Sequence, residues 1–168
     1  NRFSARAARY ARVGKNVGLH MLMARSVDEV NDHQVERMVK RACSYQRKAV
    51  GILGLTYKPG APIMEESFGC KLVKAFAKTD KQIRVWDPIV GNKPSFFEEQ
   101  VAWFGEPMGC FGNDAVTILT NPDPEILRHV PDAFETPSRS KAILLDPWGC
   151  VPPGPWHDSH IVTLGRGE

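Results

Sequence analysis

The residues with the most chemistry to offer stand together in one short stretch, Gly51-Ile52-Leu53-Gly54-Leu55-Thr56-Tyr57-Lys58-Pro59-Gly60. A lysine can meet a phosphate or a sugar hydroxyl with a compact positive charge. A tyrosine beside it offers a flat ring face and a hydroxyl. The glycines let the backbone approach a ligand closely, and Pro59, Gly60 and Pro62 shape the loop that follows. Spacing alone fits a surface lysine behind a strand equally well, so both readings stand at this point. The stretch lacks G-x-G-x-x-G, and Asp87 is too far along the chain from Gly54 for the acid that normally follows about 20 residues later. NAD binding by this sheet is therefore not expected.

Nucleophilic and metal chemistry find little support. There is no G-x-S-x-G elbow, and Cys43, Cys70, Cys110 and Cys150 have no histidine close in sequence that would activate a thiol. Cys70 falls on the buried side of a predicted helix and Cys150 in a loop, so inert thiols are expected. His157 and His160 near Cys150 match no usual zinc spacing and read as solvent-facing residues. Glu65-Glu66 and Glu98-Glu99 read as solvated helix ends. No catalytic residue and no metal ligand is assigned. Scattered cysteines without a C-x-x-C pair suit free thiols in a reducing cytoplasm.

The elements that must position Tyr57 and Lys58 follow from periodicity. Arg2, Arg6, Arg9 and Arg12 with intervening alanines predict a helix over 2–13, broken at Gly14–Gly18. A long helix is expected from Leu19 to Gln46. Its apolar stripe is Leu19, Leu22, Met23, Val27, Val30, Val35, Met38, Val39 and Ala42, at three- and four-residue spacing. Strands and helices then alternate. Ala49–Leu55 reads as a strand buried on both faces, and 65–77 as a helix with Phe68, Leu72, Val73 and Phe76 on one face. Gln82–Trp86 is a strand stopped by Asp87-Pro88, Ser95–Gln100 a short helix, and Val101–Phe104 a short strand. Ala115–Leu119 is a strand, Asp123–Val130 a helix, Lys141–Leu145 a strand ended by Asp146-Pro147, 151–158 a loop, and Ile161–Leu164 a last strand. The fold class is α/β: a Rossmann-like open, mostly parallel sheet with helices on both faces, preceded by a long helical arm. Tyr57-Lys58, Asp87, Thr120-Asn121 and Asp146 then share the rim at the strands' carboxyl ends, where such sheets bind ligands.

Composition bounds the rest. The chain has 168 residues, 42% of them hydrophobic, enough for one ordinary domain plus an appendage. No run of about 18 apolar residues exists, so no membrane span is expected, nor is a signal peptide visible. Asn1 in place of Met suggests a chain cut from a longer one. Residues 1–48 carry eleven Lys or Arg against four Asp or Glu, while the remainder is acidic. That basic arm lacks interleaved aromatics and any nucleic-acid motif, so nucleic acid is not an expected partner.

Five short motifs in order resemble the UDP-glucose/GDP-mannose dehydrogenase family. Val50–Ser67 resembles the start of its C-terminal domain, with Gly54, Tyr57, Lys58, Glu66 and Ser67 at the motif positions. Val30-Asn31-Asp32 with Gln34 resembles its central-helix Val-Asn-x-x-Gln. Trp86-Asp87-Pro88 resembles the aromatic-Asp-Pro strand end. Asp114-Ala115 with Leu119-Thr120, and Leu144-Leu145-Asp146, resemble later strands. The resemblance implies a division into residues 1–46, the end of a central helical dimerisation region, and residues 47–168, a C-terminal UDP/GDP-sugar-binding domain.

What the resemblance implies chemically is a nucleotide-sugar 6-dehydrogenase. It oxidises the sugar C6 alcohol to a carboxylate in two NAD-dependent steps through a cysteine thiohemiacetal. NAD and that cysteine would belong to the full-length enzyme, with no cofactor expected in this fragment. Tyr57 and Lys58 would bind a UDP- or GDP-sugar. Ala61 and Glu65 differ from the family's Thr and Arg, and Asp146-Pro147-Trp148 replaces its Asp-x-Arg. The long helix predicts a homodimer. The alternative is a free-standing Rossmann-like nucleotide-binding or regulatory module without catalysis.

Overall fold

β1 (Ala49–Leu53) and β4 (Ala115–Leu119) are short apolar runs rich in β-branched residues, and every residue in both is buried. Such runs suit central parallel strands covered on both faces. The computed structural model describes residues 22–135, 141–152, 154 and 161–163. The expected helix over 2–13, the break at 14–18, Leu19, His157, His160 and Leu164 lie outside the described residues, as do the side chains of Leu22, Met23 and Val27.

Four further strands complete the sheet: β2 (Gln82–Trp86), β3 (Val101–Trp103), β5 (Ile143–Asp146) and β6 (Ile161–Thr163). The order is β3-β2-β1-β4-β5-β6, and all five pairings are parallel. The chain builds outward from β1 to β3, then returns to lay β4 on the other side of β1. The strand order therefore reverses between β1 and β4, which in open α/β sheets marks the ligand crevice.

Helices cover both faces. α1 (Leu22–Ser44) packs Val35, Met38 and Ala42, and α2 (Phe68–Phe76) packs Cys70, Leu72, Val73 and Phe76, onto Val50, Ile52, Ile83, Val85, Val116 and Ile118. On the opposite face, α3 (Pro124–Glu135) and a 3₁₀ turn at Pro107–Cys110 cover Leu53, Trp86, Leu119 and Leu144. Side chains one residue apart serve opposite cores, as the strand period of two requires.

Four expectations change. Val30, placed in the buried stripe of α1, is 58% exposed; among the described side chains of α1, those buried against the sheet are Val35, Met38 and Ala42. Residues 95–100 form turns, not a helix. The Phe97 amide bonds Pro94 and the Val101 amide bonds Glu98, while Lys93 Nζ takes the Glu98 carbonyl. The segment thus closes on itself around the buried Phe97. α3 continues past Pro131 to Glu135, carried by buried Ala133 and by Phe134 stacked edge-on against Phe111. α2 begins at Phe68, not Glu65. Glu66 has φ 55°, and the Ser67 hydroxyl caps the helix by accepting from the Cys70 amide at 3.1 Å.

Candidate functional site

β1 stops at Leu53 because Gly54 turns the chain with φ +100°, and an added Cβ there would lie 2.8 Å from the Asn121 Cβ. Only glycine takes that conformation readily. Residues 55–67 then form a loop before α2, and this loop carries Tyr57 and Lys58.

Side chains from two other segments, the end of β2 and the β4–α3 connection, hold the loop. Asp87, at the end of β2, accepts from the amides of Leu55 (2.6 Å) and Thr56 (3.1 Å) through Oδ2. Its Oδ1 accepts from Ile89 (2.8 Å) and Val90 (2.9 Å). Asn121, just past β4, donates through Nδ2 to the Thr56 hydroxyl (2.8 Å) and carbonyl (3.1 Å). Asp123 accepts from Gly60 N at 3.3 Å, and its other oxygen takes the Glu125 amide at 2.9 Å in the first turn of α3. The Thr120 hydroxyl lies within reach of the Leu53 carbonyl (2.8 Å) and the Gly54 carbonyl. Every anchor stands on the carboxyl rim, and the loop is fixed over the point where the strand order reverses.

Within this frame, Lys58 is exposed and pairs by backbone with Ala61. Its ammonium has no ion pair among the described residues. Tyr57 is half-buried; its amide donates to the Ile63 carbonyl at 2.6 Å, and its buried hydroxyl has no partner among the described residues. Asn121 Oδ1 is likewise buried and unpartnered. The rim thus offers one free cation and two polar atoms without partners. Buried polar groups in folded proteins are normally satisfied, so such atoms mark places where water or a ligand completes the bonding.

Asp146 sits at the end of β5, wholly buried. It accepts from the amides of Trp148 (3.0 Å), Gly149 (2.9 Å) and Val151 (2.9 Å). Trp148, at the tip of this turn, is 52% exposed. Lys71 on α2 binds Asp32 of α1 (3.1 Å) and Glu66 of the rim loop (3.3 Å). Burial works against its charge, but those two carboxylates outweigh it and hold its pKa above the usual value.

Three of the thiols are poor nucleophiles. Burial pushes Cys110 up to about 12, and burial followed by the Asp146 carboxylate pushes Cys150 up to about 11. Burial also raises Cys70. All four cysteines are free, and no group of three potential metal ligands occurs among the described residues.

A dinucleotide is not fitted by these residues. Asp87 does stand beside Gly54 in space, although it is distant in sequence, and so occupies the strand end where a ribose-binding acid is expected. Its two oxygens, however, already accept four backbone amides. No helix N-terminus follows the glycine turn directly, because residues 55–67 intervene. The chain also has a cavity of about 260 Å³, but it lies between α2 and the 96–101 segment, lined by Lys74, Lys78 and Phe96, and contains none of the rim residues.

Signals for the anchors were present in the sequence. Asp123-Pro124-Glu125 is a helix start with a capping acid and proline in the first turn, and Asp-Pro after a strand favours a turn. What spacing does not show is that Asp87 and Asp123 also reach into the Lys58 loop. No helix among the described residues is long and apolar enough to cross a membrane.

No protein-family model matches the chain. It is 29% identical over 115 residues to the UDP-glucose 6-dehydrogenase YwqF of Bacillus subtilis, a match spanning 65% of this chain and 26% of that protein. Its fold is that of part of the GDP-mannose dehydrogenase from Pseudomonas aeruginosa. That likeness has a TM-score of 0.66 at 19% identity and covers 94% of this chain and 37% of the other. The UDP-glucose dehydrogenase of Pyrobaculum islandicum superposes with a TM-score of 0.58 at 21% identity, covering 72% of this chain and 29% of that one. The chain therefore spans between a quarter and two fifths of the length of these relatives.

Proposed function

We propose that this chain, which belongs to the UDP-glucose/GDP-mannose dehydrogenase family, is the sugar-nucleotide-binding part of an NAD-dependent nucleotide-sugar 6-dehydrogenase. Residues 47–168 form the UDP- or GDP-sugar-binding domain, and residues 1–46 the end of a central helical region. The nicotinamide cofactor and the cysteine nucleophile belong to other parts of such an enzyme. No step of hydride transfer is assigned to residues of this chain.

One observation carries the reading. Lys58 presents an unpaired ammonium from a glycine turn that Asp87 after β2 and Asn121 and Asp123 after β4 pin over the β1/β4 switch point. A cation carried on an anchored loop at that point suits the diphosphate of a sugar nucleotide, because the loop loses little further freedom on binding. Tyr57 lines the same loop and contributes a ring and a hydroxyl. Titration calorimetry with UDP-glucose, UDP and GDP-mannose tests this. Lys58→Ala weakens all three by about 10-fold, in the range for a charge-assisted contact. Equal heats for both proteins remove Lys58 from the site.

The arm supports a second-copy interface. Val30 leaves the domain surface on the same helix that buries Val35 and Met38, so the outward half of α1 meets the matching helix of a partner. Light scattering that finds a monomer at high micromolar concentration overturns the dimer. The four free thiols suit a reducing compartment such as the cytoplasm.

A further inference from the structure

Four large apolar side chains are strongly exposed among the described residues: Val30, Ile63, Phe96 and Trp148. Single exposed hydrophobes are ordinary on protein surfaces and need no explanation. Trp148 differs by its place. It stands on the carboxyl rim of the sheet, and its backbone is fixed, because Asp146 accepts the amides of Trp148, Gly149 and Val151 from within the core.

The rim reads in strand order. Lys58 follows β1, Asn121 follows β4, and Trp148 follows β5, with the three strands adjacent in the sheet. Two strand spacings separate the ends of β1 and β5, about 10 Å. Asn121, between them, is 2% exposed and keeps an acceptor oxygen without a partner. The segments that follow β1, β4 and β5 thus supply, in that order along the rim, a free cation, a polar acceptor and an aromatic ring. A nucleoside diphosphate has the matching parts: phosphates at one end and a flat base at the other.

We infer that Trp148 is a further binding residue, which stacks on the base of a nucleoside diphosphate whose phosphates lie at Lys58. The inference rests on the sugar-nucleotide reading above and adds to it the residue that meets the base. Base stacking on an aromatic ring tolerates every base, since each has a π-face. Trp148 therefore gives affinity for the nucleoside portion and little choice between uracil and guanine.

Three ligands test it on the whole chain: UDP, GDP and inorganic pyrophosphate, titrated against the native protein, Trp148→Ala, Trp148→Phe and Lys58→Ala. Trp148→Ala weakens UDP and GDP by at least about 5-fold, the lower end of what loss of one stacking ring costs. Pyrophosphate binding stays unchanged, and Trp148→Phe restores most of the nucleotide affinity. Lys58→Ala weakens all three ligands. Nucleotide affinities equal to native in Trp148→Ala overturn the inference and leave the sugar-nucleotide reading standing. Equal loss of nucleotides and pyrophosphate also overturns it, because the turn would then be acting on the phosphate end. A native protein that binds none of the three ligands overturns both readings.

Discussion

Two Asp-Pro pairs end two strands of this sheet, and the same dipeptide does different work at each. Asp87 ends β2 and Asp146 ends β5; both carboxylates are buried and both accept backbone amides. Asp146 serves only the turn that follows it, at Trp148, Gly149 and Val151. Asp87 serves its own turn at Ile89 and Val90 and also crosses to β1, where it takes the amides of Leu55 and Thr56. The difference lies in the neighbours. β2 borders β1, whose glycine turn leaves two buried amides with no strand partner. β5 borders β4, whose end is already organised by Thr120 and Asn121.

Removing each carboxylate separates the two roles, and this gives the largest expected effect. Asp87→Ala strands two buried amides, each costing about 1–3 kcal/mol, so a loss of about 3 kcal/mol or more is expected in urea unfolding. Asp146→Ala strands one buried amide, at Val151, while Trp148 and Gly149 are exposed to water. Its loss is about 1–2 kcal/mol. Hydrogen exchange discriminates further. The amides of Leu55 and Thr56 lose protection in Asp87→Ala and keep it in Asp146→Ala. Equal protection in both variants breaks the comparison.

Gly69 presses on the same turn from the helix side. An added Cβ would lie 2.3 Å from the Gly54 carbonyl oxygen and 3.1 Å from the Leu55 Cα, both backbone atoms that cannot step aside alone. Gly69→Ala therefore moves α2 off the turn, at about 2 kcal/mol, typical of overpacking. If the turn is held chiefly by Asp87, the variant stays folded and the Leu55 and Thr56 amides remain partly protected. Full loss of that protection at small cost in stability would assign the turn to helix packing instead.

The layout of strands was legible because the buried strands are short β-branched runs and the helices carry one apolar face. Asp87, Asn121 and Asp146 were correctly placed on one rim by topology alone. Their bonding was not legible. Asp87 is distant from Gly54 in sequence yet hydrogen-bonds the residue after it, since β1 and β2 lie side by side in register. The extension of α3 through Pro131 was hidden for a related reason. Local propensity ends a helix there, while burial of Ala133 and the Phe134–Phe111 contact continue it. The turn at 95–100 was misread because its carbonyls are taken by Lys93 and by short-range amides, partners that a periodicity argument does not see.

The smallest effect sharpens the contrast through a thiol that only one of the two aspartates touches. Cys150 Sγ lies 3.8 Å from Asp146 Oδ1. Burial first, then the charge of Asp146 and its hydrogen bond, raise this thiol up to about 11. The folded value exceeds the ordinary one, about 8.5, so folding favours the protonated thiol. Its contribution to stability is complete below the unfolded value and fades as pH rises through about 11. Asp146→Asn removes the charge but keeps the burial. The midpoint of Cys150 alkylation by iodoacetamide, followed by peptide mass spectrometry against pH, should fall by about one unit. Asp87→Asn, acting on the far side of β1, should leave that midpoint where it is. A midpoint unmoved in Asp146→Asn would mean that burial alone holds the thiol, and that Asp146 acts on its turn only through the backbone.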